Sequence, residues 1–170
     1  MDSNTVLKEI TSQAVHRMKE NTPRIAKCLD LLTEEDVWQK PNAQLNSIGN
    51  LILHLCGNIT QYIISSIGHQ PDNRTRDAEF AATGGFTKSE LLEKLTATVN
   101  RACEIITSAP ADELMRTRVV QGYTYTGIGN IIHVTEHYSY HTGQIAFWTK
   151  LIKDKDLGFY AGKDLNKKNE

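Results

Sequence analysis

TGIGNIIHVTEHYSYHTGQIAFWTKLIK, residues 126–153, holds the strongest periodic signal in the chain. His133, His137 and His141 stand four residues apart, so in a helix they climb one face. Val134, Ile145, Trp148 and Ile152 fall on the same side, which makes that face the inward one. A helix is therefore predicted from about Thr126 to Lys153. A lone histidine on an apolar face is usually a hydrogen-bonded core residue. Three in a ladder are harder to accommodate, because each needs a partner when buried and protonated rings repel one another. A divalent cation resolves that conflict. Neutral imidazole is a good ligand, and rings spaced i, i+4 converge on one ion.

Outward from that stretch, three further helices are predicted. The first runs from about Thr5 to Leu32 through Val6, Ile10, Ala14 and Met18, then Ile25 and Leu29, with a kink or break expected at Thr22 before Pro23. TEED, residues 33–36, reads as the cap and acidic first turn of a short piece ending before Pro41. The second long helix spans about Ser47 to Ile67 and stops at Gly68. After a loop through Gly84 and Gly85, the third opens at a capping box, TKSE (87–90), and runs through Leu91, Leu95, Val99 and Ile106 to Ala109. RTRVVQGYTY (116–125) suits a short extended segment. Helices of 20 to 28 residues would each be roughly 30 to 40 Å long at 1.5 Å per residue. The expected architecture is all-α, a four-helix bundle in one domain over residues 1–170. Its core covers about 3–153, and 154–170 form a loosely packed C-terminal tail.

The second helix is unusual. Between Pro41 and Pro71 there is no Asp, Glu, Lys or Arg. Leu51, Ile52, Leu53, Leu55, Ile59, Ile63, Ile64 and Ile67 surround most of its axis, leaving one polar stripe of Asn50, His54, Gln61 and Ser65. Three readings stay open: a membrane span, which the Asn, His and Gln residues argue against; a stripe facing water; or a helix buried on most sides whose stripe lines an interior cavity. The last reading brings His54 towards the ladder of the fourth helix. It also predicts a homodimer, with the apolar flank of this helix, and Ile128, Ile132 and Ala146 of the fourth, paired across a two-fold axis. A loop from His69 to Phe86, or the C-terminal tail, covering that flank is the competing explanation. A faint internal echo joins the two helices: SIGNLILH (47–54) resembles GIGNIIH (127–133).

Bulk properties exclude several classes. A net charge of −1 offers no basic field for nucleic acid or anionic lipid. The first ten residues, MDSNTVLKEI, lack the apolar run of a signal peptide, and three scattered cysteines (Cys28, Cys56, Cys103) form no CxxC pair. A cytoplasmic protein without disulfides is expected, its cysteines serving as small core residues.

GNLILHL (49–55) and HVTEHYSYHTGQI (133–145) resemble the DinB-like superfamily of damage-inducible bacterial proteins. That resemblance implies a four-helix bundle in which His54, His137 and His141 ligate one divalent metal. His133 then matches a frequent histidine outside the ligating three. The superfamily's His-Arg-Gly-Gln ending reads His141-Thr142-Gly143-Gln144 here, so any role of that arginine is in doubt. Asn50, Gln61, His133 and Gln144, polar and on or near the inward faces, are expected to hydrogen-bond the ligating rings or a metal-bound water.

Three protein ligands leave a coordination position open, as in catalytic rather than structural sites. Zinc or nickel fits first, with iron, manganese and copper also compatible. Resemblance to bacillithiol transferases and the mycothiol-dependent maleylpyruvate isomerase implies activation of a low-molecular-weight thiol for transfer or isomerisation of a small-molecule substrate. The alternatives are a metal-dependent hydrolase and a non-catalytic stress protein that binds metal or a small ligand. Glu136 lies off the histidine face, so no general base is evident, and this favours thiol chemistry over hydrolysis.

Overall fold

The computed structural model describes residues 2–169. Its elements are helices α1 (Ser3–Leu31), α2 (Glu34–Trp38), α3 (Ile48–Ile59, continuing as a π-helical segment Thr60–Ser65), α4 (Arg76–Ala81), α5 (Lys88–Ser108) and α6 (Ala111–Met115). Strands β1 (Thr117–Val120) and β2 (Tyr123–Thr126) and helix α7 (Gly127–Lys153) follow. The four long helices form a ring: α1 packs on α5 and α7, and α3 packs on the same two from the opposite side. One apolar cluster fills the space between them, with Met18 and Ile25 from α1, Ile52 and Leu55 from α3, Leu91 and Leu95 from α5, and Ile131, Val134 and Ile145 from α7.

Local chemistry sets the helix starts. Thr33, Ser47 and Thr87 each form a full capping box, with Asp36, Asn50 and Glu90 three residues on. Thr126 caps α7 by accepting from the Gly129 amide. The expected break before Pro23 does not occur, and α1 is continuous to Leu31. Packing between α5 and α7 holds it, and the Thr22 hydroxyl meets that of Tyr138 on α7 at 2.8 Å.

Two features depart from a plain bundle. The hydrogen bonds of α3 widen after Ile59, with Ser66 N–H donating to Gln61 O at 3.2 Å and Gly68 N–H to Ile63 O at 2.9 Å. Asn130 of α7 meets this wide turn, donating to Ser66 Oγ at 2.9 Å. The short extended segment is an antiparallel hairpin, Thr117 paired with Thr126 and Val120 with Tyr123. Gln121 (φ 52°) and Gly122 (φ 80°) make its two-residue turn of the primed type. Arg118 fastens the hairpin beneath the π segment, donating to Ser66 O and pairing with Glu113 at 2.9 Å.

Much of the apolar circumference of α3, from which pairing with a second copy was expected, is buried within the chain. Ile48, Leu51, Ile52, Leu55, Ile59 and Ile63 are all buried. α2 and α4 pack on the outer side. Trp38 lies so close over Gly49 that a Cβ there would meet its ring at 2.7 Å. The connection from His69 to Phe86 packs on α3 through α4, along the stripe of Asn50, His54 and Gln61, while Leu53 and Ile64 of the apolar side stay half-buried. After α7 the chain is mostly exposed, but Leu157 is buried and Phe159 packs against the core. Cys28, Cys56 and Cys103 are free and buried, and burial pushes the Cys56 thiol up to about 11. Among the described residues no helix is long and apolar enough to cross a membrane.

Candidate functional site

α3 and α7 bring three histidines together. Ligand atoms of His54, His137 and His141 all lie within 4.8 Å of one another. His54 Nε2 is 2.9 Å from His137 Nε2. The rings of His54 and His137, and of His137 and His141, meet edge to face with centroids 5.0 and 4.4 Å apart. His54 and His141 are buried and His137 is half-buried, so none points into bulk water.

Hydrogen bonds set which nitrogen each ring presents. His54 Nδ1 lies 3.0 Å from Glu79 Oε2 and 3.1 Å from Arg74 Nη2. The carboxylate, an acceptor only, selects the Nδ1–H form of His54, and His141 Nδ1 meets the Gln144 Oε1 acceptor at 2.7 Å. Both tautomers leave Nε2 bare for the cluster. Burial, followed by the nearby His141, His54 and His133 rings, holds His137 down to about 3. Burial also lowers His141, partly offset by Gln144. These two rings are neutral at neutral pH, the form that ligates a metal.

Glu79 and Arg74, which sequence reading missed, complete the surroundings. Arg74 grips the Glu79 carboxylate with two donors, Nε to Oε1 at 2.8 Å and Nη2 to Oε2 at 2.9 Å. Burial raises the Glu79 carboxyl, but the bonds from Arg74 and His54 outweigh it and leave it below the ordinary carboxylate value. Both residues sit in a polar connection where periodicity is silent. The available signal was on α3, where Gly57 follows His54 by one turn. A Cβ on Gly57 would lie 1.8 Å from Glu79 Oε1.

The four polar residues expected around the ligands separate. Gln144 touches His141 directly. His133 stacks on His137 with centroids 5.5 Å apart, and its Nε2 accepts from Asn58 at 3.3 Å. Gln61 reaches no histidine; it accepts from Arg74 Nη1 at 2.9 Å. Asn50 likewise stays away from the rings and donates to the carbonyls of Glu79 (2.9 Å) and Ala82 (2.7 Å). The polar stripe of α3 therefore receives a strap of chain rather than lining an empty cavity. Thr142 is buried with its hydroxyl on Tyr138 O at 2.7 Å, an interior position with no room to display a charge. Glu136 is exposed, away from the cluster.

A groove of about 620 Å³ lies beside the site, between the 44–46 loop and α7. Leu45, Leu51, Phe147 and Trp148 line it together with Gln144, the residue that holds His141, and no charged side chain does. Tyr140 also lines it, its ring edge-on to His141 at 5.0 Å.

The model of the family described as a protein of unknown function (DUF1572) matches residues 4–161. No curated protein matches the chain. A conserved protein from Enterococcus faecalis superposes with a TM-score of 0.62 at 17% identity, covering 91% of this chain and 99% of that one. A DinB-like protein (YjoA) from Bacillus subtilis gives a TM-score of 0.62 at 15% identity, over 82% of this chain and 91% of that one. With a family match over nearly its whole length and this fold, the chain belongs to the DUF1572 family and carries the DinB-like fold.

Proposed function

We propose that His54, His137 and His141 hold one divalent metal ion, zinc or nickel first, and that its open position activates a small molecule, best a low-molecular-weight thiol, for transfer or isomerisation. The observation behind this reading is the convergence of three imidazoles, two of them with Nδ1 committed to an acceptor and Nε2 left bare. Among the described residues no further His, Cys, Asp or Glu joins the group. Three such ligands suit an open rather than a closed site. When bound, the ion would act as a Lewis acid, lowering the pKa of a coordinated thiol or water.

The chain's own residues favour transfer over hydrolysis. Glu79, the carboxylate at the site, is engaged on one oxygen by Arg74 and on the other by both Arg74 and His54. It is thus occupied as a hydrogen-bond acceptor and poorly suited to taking a proton from water. The protein's buried cysteines are protonated core residues, so the reacting sulfur comes from a cosubstrate. The groove beside Gln144 is of a volume usual for small-molecule sites, about 300–1,000 Å³. Its uncharged, aromatic-rich lining suits the apolar body of an electrophile.

The test is turnover by metal-loaded protein against a panel of electrophiles, each offered with cysteine, glutathione, bacillithiol or mycothiol, with thiol consumption followed. Thiol-dependent turnover that disappears in His137→Ala supports the reading. Turnover at equal rate without any thiol would replace it with hydrolysis. Tight metal binding with no turnover across the panel would leave a non-catalytic metal-binding protein.

A further inference from the structure

The connection between α3 and α5 crosses the histidine cluster, yet almost nothing apolar holds it there. α4, which it contains, has no buried residue. Its attachments are polar and most fall on one stripe of α3, with Lys40 Nζ on Phe80 O at 3.1 Å and Trp38 Nε1 on Phe86 O at 3.0 Å added from outside it. Asn50 grips the carbonyls of Glu79 and Ala82, His54 bonds the Glu79 carboxylate, and Gln61 accepts from Arg74. Gly57 sits among them, and its missing side chain is the space the Glu79 carboxylate occupies, since a Cβ there would lie 1.8 Å from Oε1 and 2.8 Å from Arg74 Nε. The Arg74 side chain is 3% exposed and that of Glu79 10%. A surface ion pair would need neither this burial nor a glycine cradle. Phe80, on the same strap, lays its ring 4.8 Å from that of His54.

We propose that the strap of residues 72–82 is a working part of the metal centre: Glu79, seated at Gly57 and gripped by Arg74, is a positioning residue that fixes His54 with Nε2 towards the ion, and metal binding and strap docking reinforce each other. This rests on the three-histidine reading above. A histidine ligand is commonly oriented by a carboxylate on its other nitrogen, and losing that partner typically costs 10–100-fold in metal affinity. Coupling is reciprocal by linkage, so an ion that selects the Nδ1–H tautomer of His54 also tightens Glu79, and with it the strap. A strap held by a few polar contacts starts from low local stability and so has protection to gain.

The experiment measures Zn²⁺ affinity by chelator competition and amide exchange with and without Zn²⁺, in the wild-type chain, Glu79→Gln and Gly57→Ala. Glutamine at 79 offers Arg74 one oxygen instead of two and turns an amide N–H₂ towards His54 Nδ1, favouring the wrong tautomer. Alanine at 57 pushes the carboxylate out of its seat without removing it. Both variants are expected to bind Zn²⁺ about 10–100-fold more weakly. Zn²⁺ should slow exchange of the 74–82 amides in the wild type but not in Glu79→Gln, with α1 and α5 protected alike in both. If Gly57→Ala does not fold, the near-isosteric Glu79→Gln carries the comparison. Wild-type affinity in Glu79→Gln, or no Zn²⁺-dependent protection of the strap in the wild type, overturns this proposal and leaves the metal site standing. A wild-type chain that binds no metal overturns the site and this proposal with it.

Discussion

Two histidines of the cluster, His54 and His141, are each held by an acceptor on Nδ1, one a carboxylate and one an amide. The amide partner is the simpler to probe, because Gln144 is exposed. Gln144→Leu should therefore leave the melting temperature of the metal-free protein nearly unchanged while weakening metal binding, by about tenfold or more. Titration of the variant beside the wild type checks this, and equal affinity would reduce Gln144 to a surface residue. Thr142 offers the opposite case. Restoring the superfamily's arginine there would force a guanidinium into a position 4% exposed, with no carboxylate among its hydrogen-bond partners. Thr142→Arg should destabilise by at least about 2 kcal/mol, read as a fall in denaturation midpoint. At this scale the sequence was legible where side chains share a helix face. The i, i+4 spacing offers His133, His137 and His141, and the polar stripe on an apolar helix offers His54; the DinB-like resemblance is what singled out His54, His137 and His141. Glu79 and Arg74 were not legible, because α4 is one short helix with no buried face, Arg74 lies in the chain before it, and only the fold brings residue 79 to residue 54.

Among elements, the β1–β2 hairpin shows how a small accessory piece secures the end of a helix. Arg118 reaches from β1 to Ser66 O at the exit of the π segment and pairs with Glu113, which also takes Arg116 at 2.7 Å. The hydrogen bond from Arg116, then the charge of Arg118, hold Glu113 below its ordinary value of 4.5 against the opposing effect of burial. A carboxyl with a depressed folded-state pKa stabilises the fold above its unfolded pKa and stops doing so as pH falls through the folded one. Stability should thus decline on acidification below about 4.5, and Glu113→Gln should be less stable at neutral pH with a shallower decline across that window. Urea midpoints at a series of pH values measure it; parallel curves for the two proteins would contradict the assignment. Only a short extended segment over 116–125 was legible here; the two paired strands and the turn at Gln121-Gly122 were not. Nor was the π segment, because apolar spacing over Thr60–Ser65 looks the same whether hydrogen bonds close at four residues or five. Continuity of α1 through Pro23 was hidden for a related reason: helices on both sides hold the chain in place, and their packing outweighs the local preference.

For the whole molecule, capping boxes, apolar periods and short breaks were enough to foresee a ring of four helices. The loop from residue 69 to 86 was weighed as a cover for α3, but its docking through polar contacts on the stripe of Asn50, His54 and Gln61 was not legible from one helix. We propose that a dimer uses α7, where Ile132 is exposed at 56% and Tyr140, Phe147 and Leu151 at 61%, 67% and 63%. Light scattering near micromolar concentration should then give twice the 19.1 kDa chain mass for the wild type and a single chain for Phe147→Glu. A single-chain mass for both removes the dimer. Everything proposed about chemistry depends on one prior fact, an ion between α3 and α7. Its most direct measurement is the stoichiometry of Zn²⁺ and Ni²⁺ binding by untagged, chelator-stripped protein, compared with His54→Ala, His137→Ala and His141→Ala. One ion per chain in the wild type, lost or weakened by orders of magnitude in each of the three while the helical content stays constant, is the predicted result. A wild type that binds neither metal above the level of the His137→Ala variant would contradict it.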